Sequence, residues 1–225
     1  MCGRFNVVQH PMMRFLQEIT GQDFSVETSL NVAPTEQAPV LVKADSSWDL
    51  RHMRWWLIPY WSKEPTTKYA MFNAKSETLE KSSAFREPFR RRRCILPVSG
   101  YYEWKTESGV KVPYYIEPES DDGFALAALW DRWRGNDTVI ESCTIVTAAA
   151  PQSMAAIHNR IPVYLTCDQV SSWVNPNADR KALAELLVPE IRMPLKVTPM
   201  STFVNNSRNK DERCLEALGE AVVIR

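Results

Sequence analysis

Short apolar runs cut by turn residues dominate the hydrophobic pattern of this chain, and helix-period stretches are few. Ala38 to Lys43 and Trp48 to Leu57 read as strands. Cys94 to Val98 is an apolar strand that ends in the turn Ser99-Gly100. Tyr101 to Lys105 and Val112 to Glu117 read as the arms of a hairpin around Ser108-Gly109. Phe124 to Trp130, Glu141 to Ala148, Leu195 to Pro199 and Ala221 to Ile224 add further strands. Helical periodicity predicts Met12 to Thr20, Cys167 to Val174 and Arg180 to Leu187, the last with Asp179 as its N-cap, and a helical turn at Ser153 to His158. Strands outnumber helices and do not alternate regularly with them. That argues against a doubly wound sheet and for an α+β fold: a single domain over residues 1–225 with an antiparallel, barrel-like β core flanked by short helices.

Composition narrows the class. A chain of 225 residues with 44% hydrophobic and 24% charged residues is an ordinary globular protein, and no apolar run approaches the roughly 18 residues of a membrane span. The 27 basic and 27 acidic residues cancel, so attraction to nucleic acid has to come from a local patch. Five cysteines stand at scattered positions without a CxxC pair, which argues against a zinc site and for reduced thiols in a cytoplasmic protein. Cys94 and Cys143 sit in apolar runs and read as inert core residues. Eight tryptophans are many for this length; some belong in the core, and the enrichment also suits a surface that stacks bases.

The reactive chemistry starts at Met1-Cys2-Gly3-Arg4. If Met1 is removed, Cys2 carries a thiol and a free α-amine on one residue. The amine condenses with an aldehyde to an imine, and the sulfur closes on the imine carbon as a five-membered thiazolidine. The α-amine, with an ordinary pKa of about 7.7–8.0, is roughly one-tenth neutral at pH 7.

Four further segments carry polar chemistry. Asn73-Ala74-Lys75-Ser76-Glu77 offers an amide, a cation for a phosphate and a carboxylate that caps or pairs locally; it reads equally as a helix start after a strand. In Tyr101-Tyr102-Glu103-Trp104-Lys105 a strand places Tyr101, Glu103 and Lys105 on one face, where aromatic neighbours would raise the Glu103 pKa and suit it to proton transfer, unless Glu103 simply pairs with Lys105 at the surface. His158-Asn159-Arg160 joins a proton-shuttling imidazole to a guanidinium suited to phosphate. Arg86 and Arg90 to Arg93 form a basic run, with Trp55, Trp56, Tyr60 and Trp61 upstream, which together suit a phosphate-tracking groove with a stacking floor or an ordinary solvated face. His10 and His52 lack polar company and receive no role.

In their order along the chain these segments resemble the SOS-response-associated peptidase (SRAP) family of abasic-site processing proteins. The resemblance runs nearly end to end. It takes in Met1-Cys2-Gly3-Arg4-Phe5, Asn31-Val32-Ala33-Pro34, Arg54-Trp55-Trp56-Leu57, Asn73-Ala74-Lys75-Ser76-Glu77-Thr78, Gly100-Tyr101-Tyr102-Glu103-Trp104-Lys105, His158-Asn159-Arg160-Ile161-Pro162 and Val197-Thr198-Pro199-Met200-Ser201. It implies a monomer that recognises abasic sites in single-stranded DNA and links to them through Cys2, cytoplasmic and nucleoid-associated when bound, with no metal and no cofactor. It implies that Cys2 is the nucleophile, that Asn73 holds cysteine and sugar, that Glu103 assists sugar opening and imine proton transfers, and that His158 shuttles protons. Arg4, Lys75 and Arg160 are implied as phosphate contacts; Trp61, Arg90 and Arg93 extend the expected DNA surface. Limited self-processing as a peptidase is a secondary implication.

Three positions depart from the family pattern: Trp56 replaces a common glycine, Lys75 an arginine and Asn159 an aspartate. Lysine keeps the charge at position 75 but loses the bidentate fork. The competing readings are an N-terminal-nucleophile amidohydrolase or peptidase that uses Cys2, and a non-covalent single-strand-binding protein in which Cys2 is incidental.

Overall fold

β1 (Phe5–Val7) leads into α1 (Gln9–Thr20), followed by β2 (Ser29–Val32), β3 (Gln37–Ala44) and β4 (Ser47–Trp55). A long loop then reaches β5 (Asn73–Lys75), a 3-10 turn at Ser76–Thr78, and α2 (Arg86–Arg91). Five strands follow: β6 (Arg93–Val98), β7 (Gly100–Glu107), β8 (Val110–Pro118), β9 (Phe124–Gly135) and β10 (Thr138–Ala149). β11 (Arg160–Pro162), β12 (Tyr164–Leu165), α3 (Cys167–Val174), α4 (Arg180–Leu186), β13 (Leu195–Pro199) and β14 (Val222–Ile224) complete the chain. This is a computed structural model, and it describes residues 2–45, 47–120, 123–135 and 137–225.

Five strands close on themselves. β3 pairs antiparallel with β4 and β6, β6 with β9, and β9 with β10. β10 then meets β4 in parallel at Ser142↔Arg54 and Cys143↔Trp55, which seals the barrel. The side chain of Ser142 braces that seam by accepting the Ile58 N–H at 2.8 Å. Every residue of β6 is buried. One of its faces fills the barrel, and α3 covers it from outside, with Trp173 Nε1 donating to the Cys94 carbonyl at 2.9 Å. A strand buried on both faces reads as a continuous apolar run, which is why Cys94 to Val98 shows no alternation.

A second, wholly antiparallel sheet runs β14-β13-β8-β7-β1-β2. It holds the predicted hairpin. β7 and β8 pair from Tyr101↔Ile116 to Glu107↔Val110, and the two loop residues Ser108 and Gly109 both have positive φ (48° and 83°), as a type I′ turn requires. Gly100 is a forced glycine at the foot of β7, because a Cβ there would stand 2.4 Å from the Tyr115 ring.

The α+β, barrel-like expectation holds. α1 begins at Gln9, earlier than its periodicity suggests, since Pro11 in the first turn sacrifices no helical hydrogen bond. Ser153 to His158 is a run of hydrogen-bonded turns, with His158 N–H donating to Met154 at 3.2 Å. Asp179 caps α4 as expected, accepting the Lys181 N–H at 3.0 Å. No helix among the described residues is long and apolar enough to cross a membrane.

Candidate active site around Cys2

The residues before β1 are stitched between two strands. Cys2 is fully buried, and its carbonyl accepts a hydrogen bond from Asn73 Nδ2 at 2.7 Å. Its thiol faces the Arg4 carbonyl at 3.9 Å, and that carbonyl also accepts the Tyr102 N–H at 2.9 Å. Asn73 is held by β5, which pairs in parallel with the end of β10 at Ile145↔Asn73. Glu103 is delivered by β7, one residue beyond the Tyr102–Arg4 bond. Met1 lies outside the described residues, and so does the expectation of its removal.

Burial sets the electrostatics. Glu103 is 3% exposed, and loss of solvent pushes its carboxyl up to about 7. Its alternative sequence reading, a surface pair with Lys105, does not form: Lys105 pairs with Glu107 at 2.7 Å instead. Desolvation raises the Cys2 thiol pKa strongly, and the Glu103 charge adds to the rise. A thiol here stays protonated until something takes its proton. Burial lowers the His158 pKa, so the imidazole is biased towards its neutral form. The backbone N–H of Arg160 donates to His158 Nδ1 at 3.0 Å. Nδ1 is therefore the bare nitrogen, and the neutral ring carries its hydrogen on Nε2. Lys111, on β8, lowers the pKa of both Glu103 and His158, a contribution that the sequence gave no reason to single out.

Two fully buried phenols, Tyr101 and Tyr164, share a 2.5 Å hydrogen bond, and both feel the charges of Cys2 and Glu103. Tyr101 comes from the same face of β7 as Glu103. Asn73 Oδ1 is buried without a hydrogen-bond partner among the described residues, so one strong acceptor beside Cys2 is uncommitted.

The expected cationic residues divide. Lys75 is exposed at the end of β5. The Arg4 guanidinium is half-buried, donates to Asn31 Oδ1 at 2.7 Å and to the Val204 carbonyl at 3.0 Å, and lies 5.6 Å from the centre of the Trp104 ring. Arg160 forks onto Glu77 at 2.6 and 3.0 Å. Trp61 is 52% exposed beside a hollow of about 300 Å³ lined by Tyr60, Ser83, Arg86 and Glu87. Arg90 is exposed too, but borders a different hollow with Glu80 and Pro176. Arg93 corrects the sequence reading. It is buried, and its guanidinium donates to the carbonyls of Phe89, Arg90, Trp173 and Asn175. It pins α2 and α3 to the barrel and presents no face to DNA. Trp56, the bulky departure, packs its ring tilted against Phe72 with centres 5.5 Å apart and donates to Thr67 Oγ1 at 2.8 Å, so it braces the loop between β4 and β5. No three His, Cys, Asp or Glu side chains gather as a metal site among the described residues.

What this geometry defines is a class: barrel proteins in which a buried Cys2, held by Asn73, shares its surroundings with the buried Glu103 carboxyl. The chain belongs to the SOS response associated peptidase (SRAP) family, whose model matches residues 1–207. It is 34% identical over 226 residues to the abasic site processing protein YoqW of Bacillus subtilis, covering 96% of this chain and 100% of that protein. The abasic site processing protein HMCES of Xenopus tropicalis is 31% identical over 88% of this chain and 68% of its own length. Among solved structures, a Bacteroides thetaiotaomicron protein superposes with a TM-score of 0.73 at 27% identity, covering 84% of this chain and 85% of its own. A Bordetella bronchiseptica protein shares the fold with a TM-score of 0.78 at 21% identity, over 89% of this chain and 100% of that one.

Proposed function

We propose that this protein recognises abasic sites in single-stranded DNA and, once Met1 is removed, links to them covalently through Cys2. The observation that carries the reading is the clamping of Cys2 by Asn73 beside a Glu103 carboxyl whose pKa lies at about 7. A group at that pKa both gives and takes protons at cellular pH.

An abasic sugar rests as a cyclic hemiacetal. One oxygen of the protonated Glu103 carboxyl gives its proton to O4 as the C1–O4 bond breaks, its other oxygen takes the anomeric hydroxyl proton, and the neutral His158 Nε2–H hydrogen-bonds to the opening sugar. The Cys2 amine adds to the aldehyde as one of its protons passes to the oxygen, the hydroxyl leaves as water with the Glu103 proton, and the Glu103 carboxylate takes the remaining N–H proton so that a neutral imine is left. The sulfur then bonds to C1, the C=N electron pair moves to nitrogen, and the thiol proton ends on that nitrogen. One water is released in total. Asn73 Oδ1 is the acceptor suited to orienting the amine or a sugar hydroxyl. Lys75 and Arg4 supply cations for backbone phosphates, Trp61 a stacking surface beside Arg86, Arg90 a separate exposed cation, and Arg160 positive potential beside His158.

A single-stranded oligonucleotide with one abasic site, mixed with protein shown by mass spectrometry to lack Met1, is expected to give a band that survives a denaturing gel. Cys2→Ala abolishes it, and Glu103→Gln slows its formation by about a hundredfold. Absence of the band with the parent protein refutes the reading, and a parental rate with Glu103→Gln refutes the role of Glu103. The amidohydrolase or peptidase alternative retains one support, the word peptidase in the family description. It predicts instead a turnover of amide substrates that is lost with Cys2→Ala.

A further inference from the structure

Glu77 and Arg160 make an ion pair unlike the others at this surface. Most exposed pairs contribute little, but the Arg160 side chain is only 13% exposed and its fork is bidentate. Its Nη2 also donates to the Thr147 carbonyl at 2.5 Å, and its Nε is buried without a hydrogen-bond partner among the described residues. Most of the edge that would take a phosphate is thus already committed or shielded. Glu77 is half exposed, and its bond to Arg160 holds its carboxyl below the usual range.

The two partners come from the segments that carry the proposed chemistry. Glu77 lies four residues beyond Asn73, just after β5, which pairs with β10 at Thr147↔Lys75. Arg160 opens β11, which pairs with β10 from the other side at Ala149↔Arg160 and Thr147↔Pro162. The Arg160 N–H fixes the His158 ring nitrogen. The pair therefore crosses the end of β10 and bolts the Asn73 segment to the His158 segment.

We infer that Glu77 is a positioning residue: through its fork on Arg160 it holds the His158 imidazole, with its hydrogen on Nε2, in register with the Asn73 clamp on Cys2. Arg160 is then a strut between the two segments. The proposal rests on the linkage reading above, yet it has a readout that does not.

The test compares the parent chain, Glu77→Gln and Glu77→Asp. In nitrogen-15 spectra of the free proteins, parental His158 is expected as the single Nε2–H tautomer, and Glu77→Gln as a mixture. Glu77→Gln is expected to slow linkage to an abasic oligonucleotide about tenfold or more, because a displaced catalytic group costs rate steeply, while affinity for an intact oligonucleotide of the same length stays within about twofold. Glu77→Asp, which keeps the charge, is expected to recover most of the rate. A parental tautomer in folded Glu77→Gln overturns the proposal. So does markedly tighter binding of the intact oligonucleotide by Glu77→Gln, since that would mean the carboxylate merely screens a phosphate-binding Arg160. If the parent chain forms no link at all, the functional reading fails and the tautomer comparison alone decides the role of Glu77.

Discussion

At the scale of single residues, two carboxylates in similar strand contexts behave oppositely. Glu107 keeps its charge through Lys105 and Tyr114, whereas Glu103, four positions earlier on β7, gives up solvent and moves up to about 7. The cost is a stability cost. Below pH 4.5 Glu103 is neutral whether the chain is folded or not. As pH rises from 4.5 to about 7 the unfolded chain ionises this group freely and the folded chain does not, so stability falls across that window and levels off above it. Glu103→Gln removes the penalty. Urea unfolding should show it matching the parent near pH 4 and exceeding it at pH 8 by up to about 3 kcal/mol. Cys2, Glu103 and His158 were legible as candidates from residue type and neighbours. Arg93 was misread because a run of four arginines looks uniform in sequence. Only the packing tells which of them points inward to the last carbonyls of a helix. Lys111 and the Tyr101–Tyr164 pair gave no local signal, since each matters through a neighbour far along the chain.

At the scale of elements, the periodicities placed the main strands and α3 well, because burial on one or both faces writes itself into local composition. The short pieces β1, β2, β5, β11 and β12 escaped notice. Strands of two to four residues are too brief to show a period, and they exist because a neighbour offers a hydrogen-bonding edge. These fragments are the ones that carry the site: β5 holds Asn73 and β11 begins at Arg160. Arg93 shows how elements are fastened. Its side chain joins the C-terminal half of α2 to the end of α3, so Arg93→Ala leaves several carbonyls unpaired in a buried place. A loss of about 3 kcal/mol is expected from thermal or urea unfolding, with affinity for an intact oligonucleotide unchanged at a temperature where the variant is folded. A large loss of affinity with stability intact would restore Arg93 to the DNA surface.

At the scale of the whole molecule, barrel closure was the feature that sequence could not display. The parallel seam joins β4 to β10 across nearly ninety residues of chain, a pairing that no local pattern encodes. The charge balance does carry through. With 27 charges of each sign and only a few cations near Cys2, reversible binding to undamaged single strands should be weak. Its log–log salt slope should be near −2, because each neutralised phosphate contributes about −0.7. A slope of −5 or steeper would mean an extended basic track that the fold does not suggest. The ends of the chain are joined more directly. Asn31 takes the Arg4 guanidinium on its oxygen and gives its nitrogen to the carbonyls of Val204, Asn206 and Asn209, while Lys210 ties the Asn31 carbonyl to Glu36. Residues 208–225, which lie past the family match, hang from that amide and from the β13–β14 pairing. A purification handle or fusion partner attached behind Arg225 therefore pulls on a cord whose other end is knotted at Arg4, two residues from Cys2.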